Sequence, residues 1–429
     1  MIIPKHTVSL LRDTYFVCVL VLTIGAFASL FLDTGDLATA SQGSPFLKVL
    51  SMAIYGIALV RVFLWRNEAI GLLRENKALV LFLLLIVGST VWSIDGSATL
   101  HTWATLFGST LVALDLSIHY PLEKQLRLVC VALVLITVMS VVAELLTPDL
   151  IPGQDKEGSA WHGVFGVKNV FGKTVCLTVV ACLCVIRKSF VLRLLTVVVG
   201  ITLGILSQST SSIGYMAIIG ATFALLPILK WKPLPRRIAL GGVALAGLFA
   251  VYFAATNLES VTAALDKDPH LTGRTDLWEY AIDCIKEKPL LGYGYEAFWT
   301  YDSVPARRIR EAINWDSAPH AHNGYLDLTL GVGIIGLLAY LALLTIFAKR
   351  AYVYFASGSE DYRRWPLTFL AFTFFYQFTE GSMVSAGCLW VIFCGLMLSL
   401  NSQRELAFVE NEAPLLAVRF GSRLSIDIP

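Results

Sequence analysis

Charge is scarce in this 429-residue chain. Lys, Arg, Asp and Glu together make up 15% of it, against 56% hydrophobic residues and a mean hydropathy of +0.70. That balance is foreign to soluble multidomain proteins and identifies an integral membrane protein. A net charge of +2 makes no case for a nucleic-acid partner once topology accounts for the basic residues. No CxxC pair occurs. Of the eight cysteines only Cys284 lies outside an apolar run, so there is no disulfide framework.

Lysine and arginine are also missing from every second connection. Apolar runs of about 17–25 residues, long enough to cross roughly 30 Å of hydrocarbon as helix, recur from end to end. They predict an all-α polytopic protein with about twelve transmembrane helices: 14–32, 46–65, 78–93, 101–118, 128–146, 169–186, 190–206, 213–229, 238–256, 322–348, 366–378 and 383–400. The short connections 33–45, 94–100, 207–212 and 379–382 hold neither Lys nor Arg, whereas basic residues crowd the alternate ones, such as 66–77, 187–193 and 230–237. Cytoplasmic connections carry the positive excess, so both termini are expected in the cytoplasm. The start, MIIPKHTVSLLRDTYFVCVL, has a basic flank. Its apolar run is too long for a signal-peptide core and lacks a small-residue cleavage site, so it reads as a retained first span. The expected plan is helices one to nine over 1–256, a large outer loop over 257–321, helices ten to twelve over 322–400, and a cytoplasmic tail over 401–429.

Two outer connections exceed a turn, 147–168 and 257–321, and loops of that size are usually functional or disordered. The second is too rich in aromatic and apolar residues for disorder. Its middle reads as an amphipathic helix from about Gly273 to Glu287, with Leu277, Ala281 and Cys284 on one stripe. Pro289 stops it, and Gly292 and Gly294 mark a turn. The first turn of a helix favours acidic residues, yet Arg274 sits there, after the candidate cap Thr272. A guanidinium beside free helix amides suits phosphate or pyrophosphate. Contact with Asp276 or with lipid headgroups would also account for it.

At the mouth of the tenth span stand His320, His322 and Asn323. Asn323 can cap that helix, and a neutral histidine is tolerated near a helix start. The alternative is a site shared with Arg274. Helix periodicity places Asp327 one turn beyond Asn323 on the same face, and an intramembrane carboxylate points to function. A metal on His320 and His322 would need a third ligand from His162 or a loop carboxylate; none is expected. The sixth span repeats the pattern, with Lys168 and Asn169 at its mouth and Lys173 one turn deeper than Asn169. Outer lysines run against the charge rule and call for an anionic partner, although Lys168 could snorkel to headgroups. Hydroxyls in LSQSTSSIG (Leu206–Gly214) suit sugar or phosphate oxygens, or helix caps. Arg307, Arg308 and Arg310 read as a solvated or headgroup-facing cluster.

These residues resemble a known family. His322-Asn323, nine residues, then Gly333-Ile334-Ile335-Gly336 is similar to the H-[NSQ]-x9-G-x-x-G signature of O-antigen ligases and Wzy-type polysaccharide polymerases. GRTDLW (Gly273–Trp278) and LLGYGYEAF (Leu290–Phe298) resemble segments of the same family's periplasmic loop. The resemblance implies a GT-C-like membrane glycosyltransferase of the bacterial inner membrane, without metal or other cofactor. Its donor and acceptor would be oligosaccharides linked to undecaprenyl pyrophosphate. It further implies that Arg274 contacts pyrophosphate and that His322 is the catalytic base; beside them, the residue pattern at the two helix mouths makes Lys168, Asn169, Lys173, His320, Asn323 and Asp327 the expected substrate-binding set. Membrane lipid and polysaccharide export proteins are the implied partners. Ligases often carry an arginine in a turn where this chain has Ser209-Thr210-Ser211-Ser212, and Lys168 is the expected replacement. That departure and the segment Phe165-Gly166-Val167-Lys168-Asn169 look more like ExoQ-type exopolysaccharide polymerases. A transporter of the same lipid would show inverted repeats and interrupted helices, and no convincing repeat is seen.

Overall fold

The computed structural model describes residues 5–25, 44–147, 160–242, 245, 274–315 and 318–400. Among them the regular elements are all helical. In chain order they are α1 (Lys5–Thr23), α2 (Pro45–Leu64), α3 (Arg66–Glu75), α4 (Lys77–Gly88), α5 (Gly96–His119), α6 (Leu122–Leu146), α7 (Lys168–Val185), α8 (Phe190–Leu206), α9 (Thr210–Leu225), α10 (Arg274–Glu287), α11 (Val304–Ala312), α12 (Gly324–Ala356), α13 (Trp365–Tyr376) and α14 (Cys388–Ser399).

Among the described residues five helices are long and apolar enough to cross a membrane: α2, α6, α7, α9 with its continuation to Lys230, and α12. Shorter apolar helices are α4 with its continuation to Val91, α8 and α14. The chain is therefore a helical, multi-pass membrane protein. The expected ninth span is helical where described, over 238–242 and at Leu245. Its remainder lies outside the described residues, as do 26–43, 148–159, the start of the large loop with Thr272 and Gly273, and the tail 401–429.

Several boundaries differ from expectation by a turn or more, among them α5 starting at Gly96, α6 at Leu122 and α14 at Cys388, and two of the differences have a physical reason. The first helix starts at Lys5 rather than 14. Arg12 and Asp13 interrupt the apolar pattern, but the fold pairs them. Arg12 Nε donates to the Tyr120 hydroxyl at 3.1 Å, and Lys124 Nζ reaches Asp13 at 2.5 Å. The second is α12, expected over 322–348, which runs to Ala356 and is broken at Val332 and Gly333 (φ 66°, ψ −173°). A break inside hydrocarbon strands backbone groups that water cannot satisfy. Here the segment 289–294 satisfies them. Tyr293 N–H donates to the Leu330 carbonyl at 2.7 Å and Gly294 N–H to Gly331 at 2.8 Å, while Ile334 N–H donates to the Pro289 carbonyl at 2.8 Å. Gly333 has no side chain to strike the Leu290 carbonyl, and Gly292 none to strike that of Leu330. Two motifs 40 residues apart in the chain thus form one backbone joint.

The loop is built onto that joint. Leu277 and Ala281 of α10, Ala306 and Ile309 of α11, and Tyr293 and Phe298 between them bury a small apolar core with Leu330 of α12. Arg310 is no solvated residue: its Nη2 donates to the Trp299 carbonyl at 2.8 Å and its Nε to that of Ala318 at 3.1 Å, tying α11 to the approach of α12. Arg307 and Arg308 are exposed.

Candidate functional site

The turn after α13, residues 377–383, is the hub on which the separate strands of sequence converge. Gln377 anchors it. Its carbonyl accepts from Gly324 N–H at 2.7 Å, and its side-chain Nε2 donates to the Tyr340 hydroxyl at 2.8 Å. Arg274, at the start of α10, donates from Nη1 to the Thr379 carbonyl at 2.9 Å. The Thr379 hydroxyl bonds to that of Tyr215 on α9. Lys173 of α7 donates to the Tyr376 hydroxyl at 3.3 Å, with its ammonium 5.0 Å from that ring. A Cβ on Gly381 would touch the His320 ring at 3.5 Å.

The histidine segment is fixed from several sides. Trp278 Nε1 donates to the Ala321 carbonyl at 2.8 Å. Asp327 Oδ1 accepts from Ala321 N–H and from Trp299 Nε1, both at 2.8 Å, leaving Oδ2 without a partner. Asn323 Oδ1 caps α12, accepting from Tyr325 N–H at 3.1 Å and Leu326 N–H at 3.3 Å. So Asp327 and Asn323 shape the turn that presents the histidines. His322 adopts φ 49°, the left-handed region, and its ring stacks on Trp315 at 5.4 Å and 14°. Among the described residues neither ring nitrogen of His322 has a hydrogen-bond partner. A non-glycine residue held in that region and left unsatisfied is the kind of local cost that accompanies function.

Electrostatics keep both imidazoles neutral. Burial, reinforced by the Arg274 guanidinium, lowers His320 from 6.5 to about 4. Burial, His320 and Arg274 together lower His322 to about 3. The two rings lie 4.2 Å apart. His320 Nδ1 accepts from His322 N–H at 3.0 Å, so neutral His320 carries its proton on Nε2. The 4.0 Å approach of that Nδ1 to Asp327 Oδ2 is therefore not an ion pair. The arrangement offers an uncharged base beside a fixed cation, which is what removal of a hydroxyl proton next to an anionic leaving group requires.

The other expected residues are placed as follows. Asn169 Oδ1 accepts from the Ser209 hydroxyl at 2.9 Å, and Ser209 caps α9 through Ser212 N–H at 3.3 Å; Ser207, Ser209 and Ser212 are buried, so these hydroxyls of the serine-rich turn serve structure. Lys168 opens α7, half-buried. Lys173 and Tyr376 line a cavity of about 250 Å³ with Thr23, Ser382, Ser385 and Trp390; Arg274 and His322 do not line it. His162 is bound to Glu144, its N–H at 2.7 Å from Oε1, rather than joined to the other histidines. Among the described residues no three His, Cys, Asp or Glu side chains gather.

One site residue escapes the sequence reading: Glu380. Its Oε1 is buried without a partner. Burial raises its carboxyl, and the positive charges of Lys173 and Arg274 oppose that rise. The available signal is that it is the sole charged residue in the short connection 379–382.

Residues 194–341 match the O-antigen ligase family, a stretch that contains Arg274, His320, His322 and the break at Val332 and Gly333. The chain is 34% identical over 151 residues to the exopolysaccharide production protein ExoQ of Rhizobium meliloti (strain 1021), covering 33% of this chain and 34% of that protein. It is 33% identical over 88 residues to a protein of Rickettsia conorii, and 36% identical over 92 residues to one of Rickettsia felis, both named as candidate polysaccharide ligases. Each covers 20% of this chain, and 21% and 22% of the relative. The matched stretches thus span 21–34% of those relatives. The resemblance expected from the motifs is borne out over this segment.

Proposed function

We propose that this protein is a membrane-embedded glycosyltransferase that polymerises lipid-linked oligosaccharide repeat units into exopolysaccharide at the periplasmic face of the inner membrane. Its donor and acceptor are oligosaccharides on a polyprenyl pyrophosphate, in most bacteria undecaprenyl, and both termini lie in the cytoplasm. The observation that carries this reading is the pairing of a neutral, unsatisfied His322 with Arg274 where a membrane helix begins. In the step proposed, a hydroxyl of the acceptor attacks the anomeric carbon of the donor. Its proton passes to a ring nitrogen of His322. The bond from the anomeric carbon to the pyrophosphate oxygen breaks, and its electron pair leaves with the lipid pyrophosphate.

The leaving group is a weak base and needs charge stabilisation rather than a proton. Arg274 suits that task, with Lys173 and Lys168 as further cations. A GT-C-like arrangement with about twelve spans fits this chemistry, since the site opens where lipid-borne and aqueous groups meet. A ligase acting on a different acceptor would use the same parts. The broken helix α12 is a feature of transporters as well, but its freed backbone groups are consumed by residues 289–294 and so offer no ion or substrate site. The deciding experiment profiles lipid-linked intermediates in a deletion strain. Accumulation of single repeat units supports the polymerase; accumulation of finished polymer on lipid points to the ligase. No change in either discards the reading.

A further inference from the structure

Glu380 is half-buried, and one of its carboxyl oxygens has nothing to accept from among the described residues. Its Oε1 is excluded from solvent and unpartnered, although the cationic side chains of Lys173 and Arg274 both act on it. No ion pair ties it to either among the described residues. A buried acceptor left empty has lost its water without compensation, and more so when it is charged. What would fill it is constrained by its neighbours. A metal ion or other cation is repelled by Lys173 and Arg274, and an anion by the carboxylate itself. The remaining class is an uncharged donor, an O–H or an N–H. A sugar attached to pyrophosphate has that layout, with hydroxyls next to an anionic group, just as Glu380 lies within the field of two cations.

We infer that Glu380 accepts a hydrogen bond from a hydroxyl or acylamino N–H of the saccharide joined to the pyrophosphate, and so selects glycosyl pyrophosphates over bare ones. The inference rests on the proposed pyrophosphate site. Gly381 packs against His320 and Thr379 holds Arg274, so the turn carrying Glu380 also sets the geometry of base and cation. The sugar is thereby gripped between its leaving group and the attacking partner.

The test measures dissociation constants for two probes, inorganic pyrophosphate and a short prenyl-pyrophosphate-linked saccharide, with the full chain in lipid nanodiscs. Glu380→Gln is expected to weaken the saccharide probe about tenfold, the worth of a charge-assisted hydrogen bond. It should hold inorganic pyrophosphate at least as tightly as wild type, because a negative charge has left the neighbourhood of two cations. Glu380→Asp, which keeps the charge but retracts it, should fall between for the saccharide and serves if the Gln variant does not fold. If both probes shift in the same direction, or the saccharide constant is unmoved in either variant, Glu380 is a counter-charge or a water ligand and the inference is overturned. If wild type binds neither probe, the pyrophosphate site itself is wrong. Binding of pyrophosphate with no gain from the sugar overturns the inference alone.

Discussion

Arg274 Nη1 lies 2.9 Å from the carbonyl oxygen of Thr379, across 105 residues of chain. The bond aims a guanidinium from the loop helix at the turn between α13 and α14, beside Glu380 and the histidines. Among the described residues it uses one of the five guanidinium N–H groups.

Arg274→Ala should abolish polymer formation while protein abundance stays near wild type, because the single backbone bond lost is worth only about 1 kcal/mol. Arg274→Lys should recover part of the activity, since a point charge lacks the planar fork. Polymer yield and chain length, measured against immunoblotted protein, check this. Full activity in the alanine variant would assign the arginine to headgroup contact.

His322→Ala should slow transfer about 10²–10⁴-fold and leave donor binding nearly unchanged. His320→Ala should be milder, because His320 acts by accepting from His322 N–H rather than by taking the proton. A reconstituted transfer assay with separate donor-binding measurements distinguishes them. Transfer within a few-fold of wild type in His322→Ala would move the base to another group.

The histidines give a pH signature. In the free protein His322 titrates at about 3 and His320 at about 4, against 6.5 unperturbed. The acid limb of kcat/KM should therefore lie well below pH 6.5. Donor pyrophosphate would offset Arg274, so the limb in kcat should move upward relative to that in kcat/KM. Folded-state pKa values below the unfolded ones mean the unfolded chain binds more protons between them. The histidine contribution to stability is thus fully present above about pH 6.5 and is lost as pH falls towards 4 and 3. Thermal midpoints in detergent from pH 7 to 4, compared with His320→Gln, read that slope; a flat difference would contradict it.

Gly333→Ala should lower the yield of folded protein, with a cost of at least about 1–3 kcal/mol from the left-handed backbone alone. Contact of the new Cβ with the Leu290 carbonyl adds to it. Gly331→Ala is the control, since its Cβ would meet ordinary contacts at 3.4 and 3.6 Å. Size-exclusion profiles of the two variants should differ clearly; equal behaviour would mean the joint is not needed for folding.

Much of this molecule was determined by local pattern. Apolar runs of membrane length have to be helical, because backbone groups in hydrocarbon must bond within the segment, and α2, α6, α7 and α12 follow. The helix α10 ends at Glu287, two residues before Pro289, as the pattern required. Arg274 at its start and His322 before α12 were also legible, since a cation or a histidine in those positions is locally out of place.

Three things were decided only by tertiary structure. The break in α12 lies in an unbroken apolar run, and it is stable because Pro289, Tyr293 and Gly294 bond to its freed backbone, which no local propensity records. The neutrality of His322 follows from burial with His320 and Arg274 nearby, a matter of desolvation and field. Glu380 joins the candidate site only because folding brings α7 and α10 to the end of α13. Helix formation is set by neighbours in sequence, whereas pKa values, unsatisfied acceptors and sealed breaks are set by neighbours in space.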